Sequence, residues 1–223
     1  MIDVSADVVG WTDWIASHNH IDAKLRDENR ASEKDYFLAV HAATEAMFRR
    51  ILFVGLRLNR VTFPEASDWL FHNDVTPNKT NYPKLFDKLY SQKNITWAGV
   101  ISSVDGLETL WELWLGFSKT VRNHLSHGIR KYDPEWIRCG IAIDQELMMR
   151  LDDAFFPVVG GSMAGTLTSF NPRLPKGMSG SALAVITGIK SNIQRPKISL
   201  VDAQQKFASL PKRKLLSGKV KKG

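Results

Sequence analysis

The sequence predicts an all-α fold, an up-and-down helical bundle that carries an irregular basic extension at its C-terminal end. Three observations lead there. Two long stretches repeat apolar residues at alternating steps of three and four, which is the helical period. Strand signals are few. The charge also changes along the chain. Residues 1–154 hold 18 Lys/Arg against 22 Asp/Glu, whereas 155–223 hold twelve Lys/Arg against one acid, Asp202. The predicted organisation is a helical body over 1–154 and an extension over 155–223.

The elements follow in order. Val4, Val8, Trp11 and Ile15 recur at helical spacing and predict a helix near 4–18, with a polar connection over 19–31. Ser32 with Asp35 resembles a capping box. Behind it Phe37, Val40, Thr44, Met47, Ile51, Val54 and Leu58 form the cleanest stripe in the chain, widened by Phe48, Leu52, Phe53 and Leu56. That helix should be central and buried on more than one side. Thr62, Pro64 and Glu65 open a short helix to about Phe71. A turn-rich stretch and a helix near 83–90 come next. The second long helix is predicted over 103–127 from Val104, Leu107, Trp111, Trp114, Ser118, Val121 and Leu125, with Gly128 placed to end it. Asp133–Pro134 cap a last helix over about 134–154. Residues 155–200 read as irregular, with room for one short strand or helix, and 203–223 as a mobile tail.

Composition narrows the function. With 43% hydrophobic and 24% charged residues, the chain is too apolar for wholesale disorder. The lone cysteine, Cys139, excludes an internal disulfide framework and any multi-cysteine metal centre. No basic start followed by an apolar core is present, so no signal peptide is expected. The longest charge-free stretch, Ala154 to Pro172, contains Pro157, Gly160, Gly161 and Gly165, which disfavours a spanning helix. The expectation is a cytoplasmic protein with no membrane partner. The basic extension points to a polyanion, most often nucleic acid and sometimes an anionic membrane, against the plain reading of a solvated tail. Lys206, Lys212, Arg213, Lys214, Lys219, Lys221 and Lys222 accompany a single aromatic, Phe207, so phosphate contacts should outweigh base stacking.

The histidines are His18, His20, His41, His72, His124 and His127. They lack the HExxH and Cys/His spacings of zinc sites, and no carboxylate shares a turn with His124 and His127. The expectation is no metal and no cofactor. Neither Gly160-Gly161 nor Gly177–Gly180 carries the lysine of a phosphate loop.

The stretch that bears chemistry is Arg122-Asn123-His124-Leu125-Ser126-His127. On a helix turning about 100° per residue, Arg122 emerges about 60° from the centre of the apolar stripe, and Asn123 and His127 share one face. A guanidinium, an amide and an imidazole on one polar arc suit cleavage of RNA by its own 2′-hydroxyl. That reaction needs a base for the hydroxyl, an acid for the leaving 5′ oxygen and a cation for the phosphorane. Histidine serves as acid or base near neutrality, and arginine matches phosphate oxygens with a planar fork. One His127 cannot fill both roles in a turnover, whereas two copies across a dimer supply both. The competing reading makes Arg122 an interface ion pair and His127 a charge favoured by the helix end. The pattern alone leaves both open.

Arg-Asn-x-x-x-His near the end of a long helix resembles the RxxxxH motif of HEPN domains, and the run from Ala39 to Leu52 is similar to their central helix. The resemblance covers about 30–154. It implies a dimeric, metal-independent endoribonuclease, often a toxin or antiviral-defence effector; a further reading is a toxin silenced by an antitoxin or another regulatory partner. It assigns Arg122 and His127 as catalytic and Asn123 as supporting. Glu45 is placed to reach Arg122 from the neighbouring helix; the alternative for Glu45 is an i,i+4 pair with Arg49. The rival function is a non-catalytic HEPN-type scaffold that binds RNA or protein.

Overall fold

The computed structural model describes residues 4–5, 32–59, 61, 65–66, 69–70, 77–127, 133–159, 169–170 and 198–213. The fold is all-α. The first long stripe forms α1 (Ser32–Leu58), which buries Phe37, Val40, Met47, Ile51 and Val54. The wider stripe is buried as well, since Phe48, Leu52 and Leu56 are fully enclosed. Glu65–Ala66 and Trp69–Leu70 are helical, within the short helix expected there.

α2 (Asn81–Tyr90) lies against α1 and ties to it through two buried phenols. Tyr82 donates to the Phe48 carbonyl at 3.0 Å and Tyr90 to the Ile51 carbonyl at 2.8 Å. Both rings thereby bury their apolar bodies without stranding a hydroxyl. α3 (Trp97–Ser102) is capped by Thr96, whose side chain accepts from the Gly99 amide. The second long helix begins later than its stripe suggested. Residues 103–106 turn, and Gly106 adopts φ 76° before α4 (Leu107–Leu113) starts. A side chain at Gly106 would be strained in that left-handed conformation and would also meet Arg150 and Leu210.

From Leu107 to Ser126 the backbone is continuously helical, but Trp114–Ser118 form a π turn between α4 and α5 (Lys119–Ser126). α6 (Pro134–Val159) packs along α1. Asp133 caps it as expected, accepting from the Glu135 amide at 3.0 Å. α1 and α6 approach closely where Gly140 meets Phe37; an added Cβ would stand 2.6 Å from the ring. α6 runs to Val159, past the boundary expected at 154.

Two further expectations are corrected. Val4–Ser5, placed in a first helix, form β1 and pair antiparallel with β2 (Ser169–Phe170), Val4 opposite Phe170. Val and Phe favour such cross-strand pairing. The rest of that expected helix lies outside the described residues. The tail expected to be mobile contains a docked helix, α7 (Leu200–Ala208), packed on α4 and α6 with Ala203 fully buried. The Ser199 side chain accepts from the Asp202 amide at 3.1 Å, which starts the helix. The segment is then strapped down at both ends. The Ile198 amide donates to the Gly116 carbonyl at 3.3 Å, and Arg150 donates to the Pro211 carbonyl at 2.8 Å.

Candidate functional site

The polar arc foreseen at the end of the second long helix lies on α5. Val121 and Leu125 are buried, so the stripe seats that helix in the core. Arg122 emerges on its flank with a side chain 40% exposed. Its Nη1 donates to Asn123 Oδ1 at 3.3 Å, and its Nη2 stands 3.8 Å from Glu45 Oε2 on α1. The expected reach of Glu45 to Arg122 is therefore present. His127 closes the helix as its C-cap, with its amide bonded to the Asn123 carbonyl at 3.1 Å. Its ring is exposed and makes no hydrogen bond or ion pair among the described residues. Arg122, Asn123 and Glu45 are thus gathered together, and His127 stands open to solvent at the helix end. Gly128 lies outside the described residues.

Behind Arg122 is a buried polar cluster that sequence reasoning missed. His41 and Glu45 are one turn apart on α1, Asp144 reaches in from α6, and the π turn supplies Trp114 and Ser118. Asp144 is fully buried and receives three donors: Trp114 Nε1 at 2.6 Å, the Ser118 hydroxyl, and His41 Nδ1 at 3.1 Å. Such convergence satisfies a carboxylate that burial would otherwise make costly. The opposite nitrogen of His41, Nε2, faces Glu45 Oε1 at 3.7 Å and has no hydrogen-bond partner among the described residues. The imidazole stacks on the Trp114 indole, with centroids 5.2 Å apart.

The charges of this cluster are interdependent. Burial opposes a proton on His41, but the charge and hydrogen bond of Asp144, with help from Glu45, push it up to about 9. Burial likewise opposes charge on Glu45, yet His41, Arg122 and Lys119 hold its carboxyl below the usual range. Lys119 is itself buried beneath the site, donating to the Pro77 carbonyl at 2.8 Å with its ammonium over the Trp114 ring. The sequence signal was present in part: His41 and Ser118 interrupt apolar stripes on two helices. What brings them to Asp144 is tertiary.

The proposed RNA-binding side chains divide. Lys206 and Lys212 are exposed. Arg213 is not a free cation, as the tail reading had it. It grips Asp153 of α6 with two hydrogen bonds, at 2.5 and 2.7 Å, because the docked α7 carries the chain back over that helix. Lys214, Lys219, Lys221 and Lys222 lie outside the described residues. Cys139 is half-buried, and burial pushes its thiol up to about 11, the opposite of an activated nucleophile. Among the described residues no group of His, Cys, Asp and Glu is arranged to hold a metal ion, and no helix is long and apolar enough to cross a membrane.

Comparison of the chain with protein-family models, with curated proteins and with solved structures returns no match.

Proposed function

We propose that the protein is a metal-independent RNA endonuclease of the HEPN type, acting as a homodimer whose Arg122–His127 helix ends meet at the two-fold axis. The observation that carries this reading is the setting of α5. A guanidinium steered by a carboxylate stands beside an amide and, at the helix end, a solvent-open imidazole. In this mechanism one His127 takes the proton from the 2′-hydroxyl as its oxygen attacks phosphorus. His127 of the partner subunit gives a proton to the departing 5′ oxygen. The products are a 2′,3′-cyclic phosphate and a 5′-hydroxyl. Arg122 stabilises the phosphorane charge, and Asn123 holds its guanidinium to one side. Exposed Lys206 and Lys212 offer backbone contacts to the substrate. A toxin or defence role, with a partner that masks this helix end, belongs to the same proposal.

A second reading has one observation in its favour. Arg122 already has anionic company in Glu45, so it can serve as an interhelical tie in a non-catalytic RNA- or protein-binding scaffold. Product chemistry separates the two. RNA incubated with the protein in EDTA should be cut to 2′,3′-cyclic phosphate ends, and a 2′-deoxy residue at the scissile position should block cutting. Cleavage of DNA or a strict metal requirement would contradict the nuclease mechanism.

A further inference from the structure

The cluster behind α5 links Arg122 to the centre of the core. Asp144 stands 3.1 Å from His41 Nδ1, His41 Nε2 stands 3.7 Å from Glu45, and Glu45 stands 3.8 Å from Arg122. Exposure rises along the chain: the Asp144 side chain is sealed at 0%, His41 is at 1%, Glu45 at 20% and Arg122 at 40%. Charges alternate when His41 carries its proton. Each group faces an opposite charge and none is left single. The π turn makes this arrangement fit, because it places Trp114 and Ser118 on Asp144 and Lys119 near Glu45 while α5 continues toward Arg122.

A packing role alone does not account for His41. An apolar residue would fill the same space against Trp114 and Phe37 without bringing a buried carboxylate with it. Nor does Asp144 require His41 as a donor, since Trp114 and Ser118 already serve it. What His41 adds, when it carries its proton, is a cation whose second nitrogen faces Glu45 among the described residues.

We propose that His41, gripped by Asp144, is a positioning residue that holds Glu45 against Arg122, so that the guanidinium is aimed at a substrate phosphodiester through a chain of charges anchored in the core. The aiming of Arg122 at RNA rests on the nuclease reading above; the chain of charges does not. Glu45 restrains the guanidinium through its Nη2 and Asn123 through its Nη1, which leaves the flexible side chain in a narrow range of directions. Loss of either His41 or Glu45 frees it. The groups facing His41 are Asp144 from α6, Ser118 and Trp114 from the π turn, and Glu45 and Phe37 from its own helix.

The test has two arms on the full chain. In the first, nuclear magnetic resonance of nitrogen-15-labelled protein follows the His41 ring and the Arg122 Nε signal, the latter assigned with Arg122→Lys. At pH 7 the His41 ring should be doubly protonated. Glu45→Gln and His41→Gln should shift the Arg122 Nε signal alike. A neutral His41 ring, or an Arg122 signal that His41→Gln does not move, overturns the proposal. Glu45 is partly exposed, so Glu45→Gln tests the chain even if His41→Gln fails to fold. In the second arm, RNA cleavage by Glu45→Gln should fall about 10- to 100-fold, as expected when a charged group loses its aim. The double variant His41→Gln/Glu45→Gln should fall no further than Glu45→Gln, since the two act in one chain. Multiplying losses would show independent roles and overturn it. A wild-type protein that cuts no RNA ends the nuclease reading and leaves the chain of charges to be decided by the first arm.

Discussion

The Glu45 carboxylate on α1 and the Arg122 guanidinium on α5 stand 3.8 Å apart across the seam between the two helices. Both are partly open to solvent, so the pair itself contributes little to stability; pairs of this kind are worth about 0–1 kcal/mol. Its significance is directional. It fixes where a half-exposed arginine points, and it is continuous with a fully buried His41–Asp144 pair that has much more at stake energetically.

That buried pair makes stability depend on pH. His41 is raised from an unfolded value near 6.5 to about 9 in the folded state. The folded form therefore holds its proton more tightly, and the contribution is fully present below pH 6.5. It declines as pH rises from 6.5 and is lost above about 9. One pKa unit corresponds to about 1.4 kcal/mol, so the loss across this window is on the order of 3 kcal/mol. Thermal unfolding from pH 6 to 9.5 should show the wild type losing ground against His41→Gln. Parallel pH profiles for the two would show that His41 is not the group responsible.

The docked C-terminal helix gives a second expectation. A chain ending at residue 197 would lack α7 and would leave Arg150, only 3% exposed, without the Pro211 carbonyl. With α7 gone water reaches that donor, so the loss is that of one charge-assisted hydrogen bond, about 1.5–3 kcal/mol. In a protein of this size each kcal/mol lowers Tm by about 2–4 °C, so a drop of roughly 3–12 °C should follow. An unchanged Tm would mean that α7 is not bound to the body in solution.

The shared site requires two copies. Light scattering should give a mass near twice 25.1 kDa, and RNA cleavage should weaken on dilution below the dissociation constant. A monomer with full activity would remove the reason for placing two His127 side chains opposite one another.

Legibility in the sequence followed the range of the interactions. The stripe from Phe37 to Leu58 and the Asp133–Pro134 cap are local signals, and α1 and the start of α6 fall where those signals lie. The second stripe placed Trp114, Val121 and Leu125 in the core, but Val104 fitted the same period and hid the turn at Gly106. Asp105-Gly106 was the available turn signal. The π turn was invisible because one extra residue per turn barely disturbs a three-four spacing. α7 had a local signature in Ser199 and Asp202, which the basic composition around it masked. The motif Arg122-Asn123…His127 was legible because it is contiguous, and Glu45 because it is on the adjoining helix. The meeting of His41 with Ser118 and Asp144 joins three helices distant in sequence, and no local pattern encodes it.

The central claim is that Arg122 and His127 carry out RNA cleavage, and the most direct measurement compares the wild type with His127→Ala and Arg122→Ala on total RNA in EDTA, alongside circular dichroism and Tm. Wild type should cut. General acid–base and electrostatic contributions are each worth about 10²–10⁴ in rate, so each variant should lose cleavage by at least two orders of magnitude. Helical content and Tm should stay near wild type, because both side chains lie toward the surface. His124→Ala should lose far less. Cleavage that survives both substitutions, or a wild type that leaves RNA intact, would contradict the account.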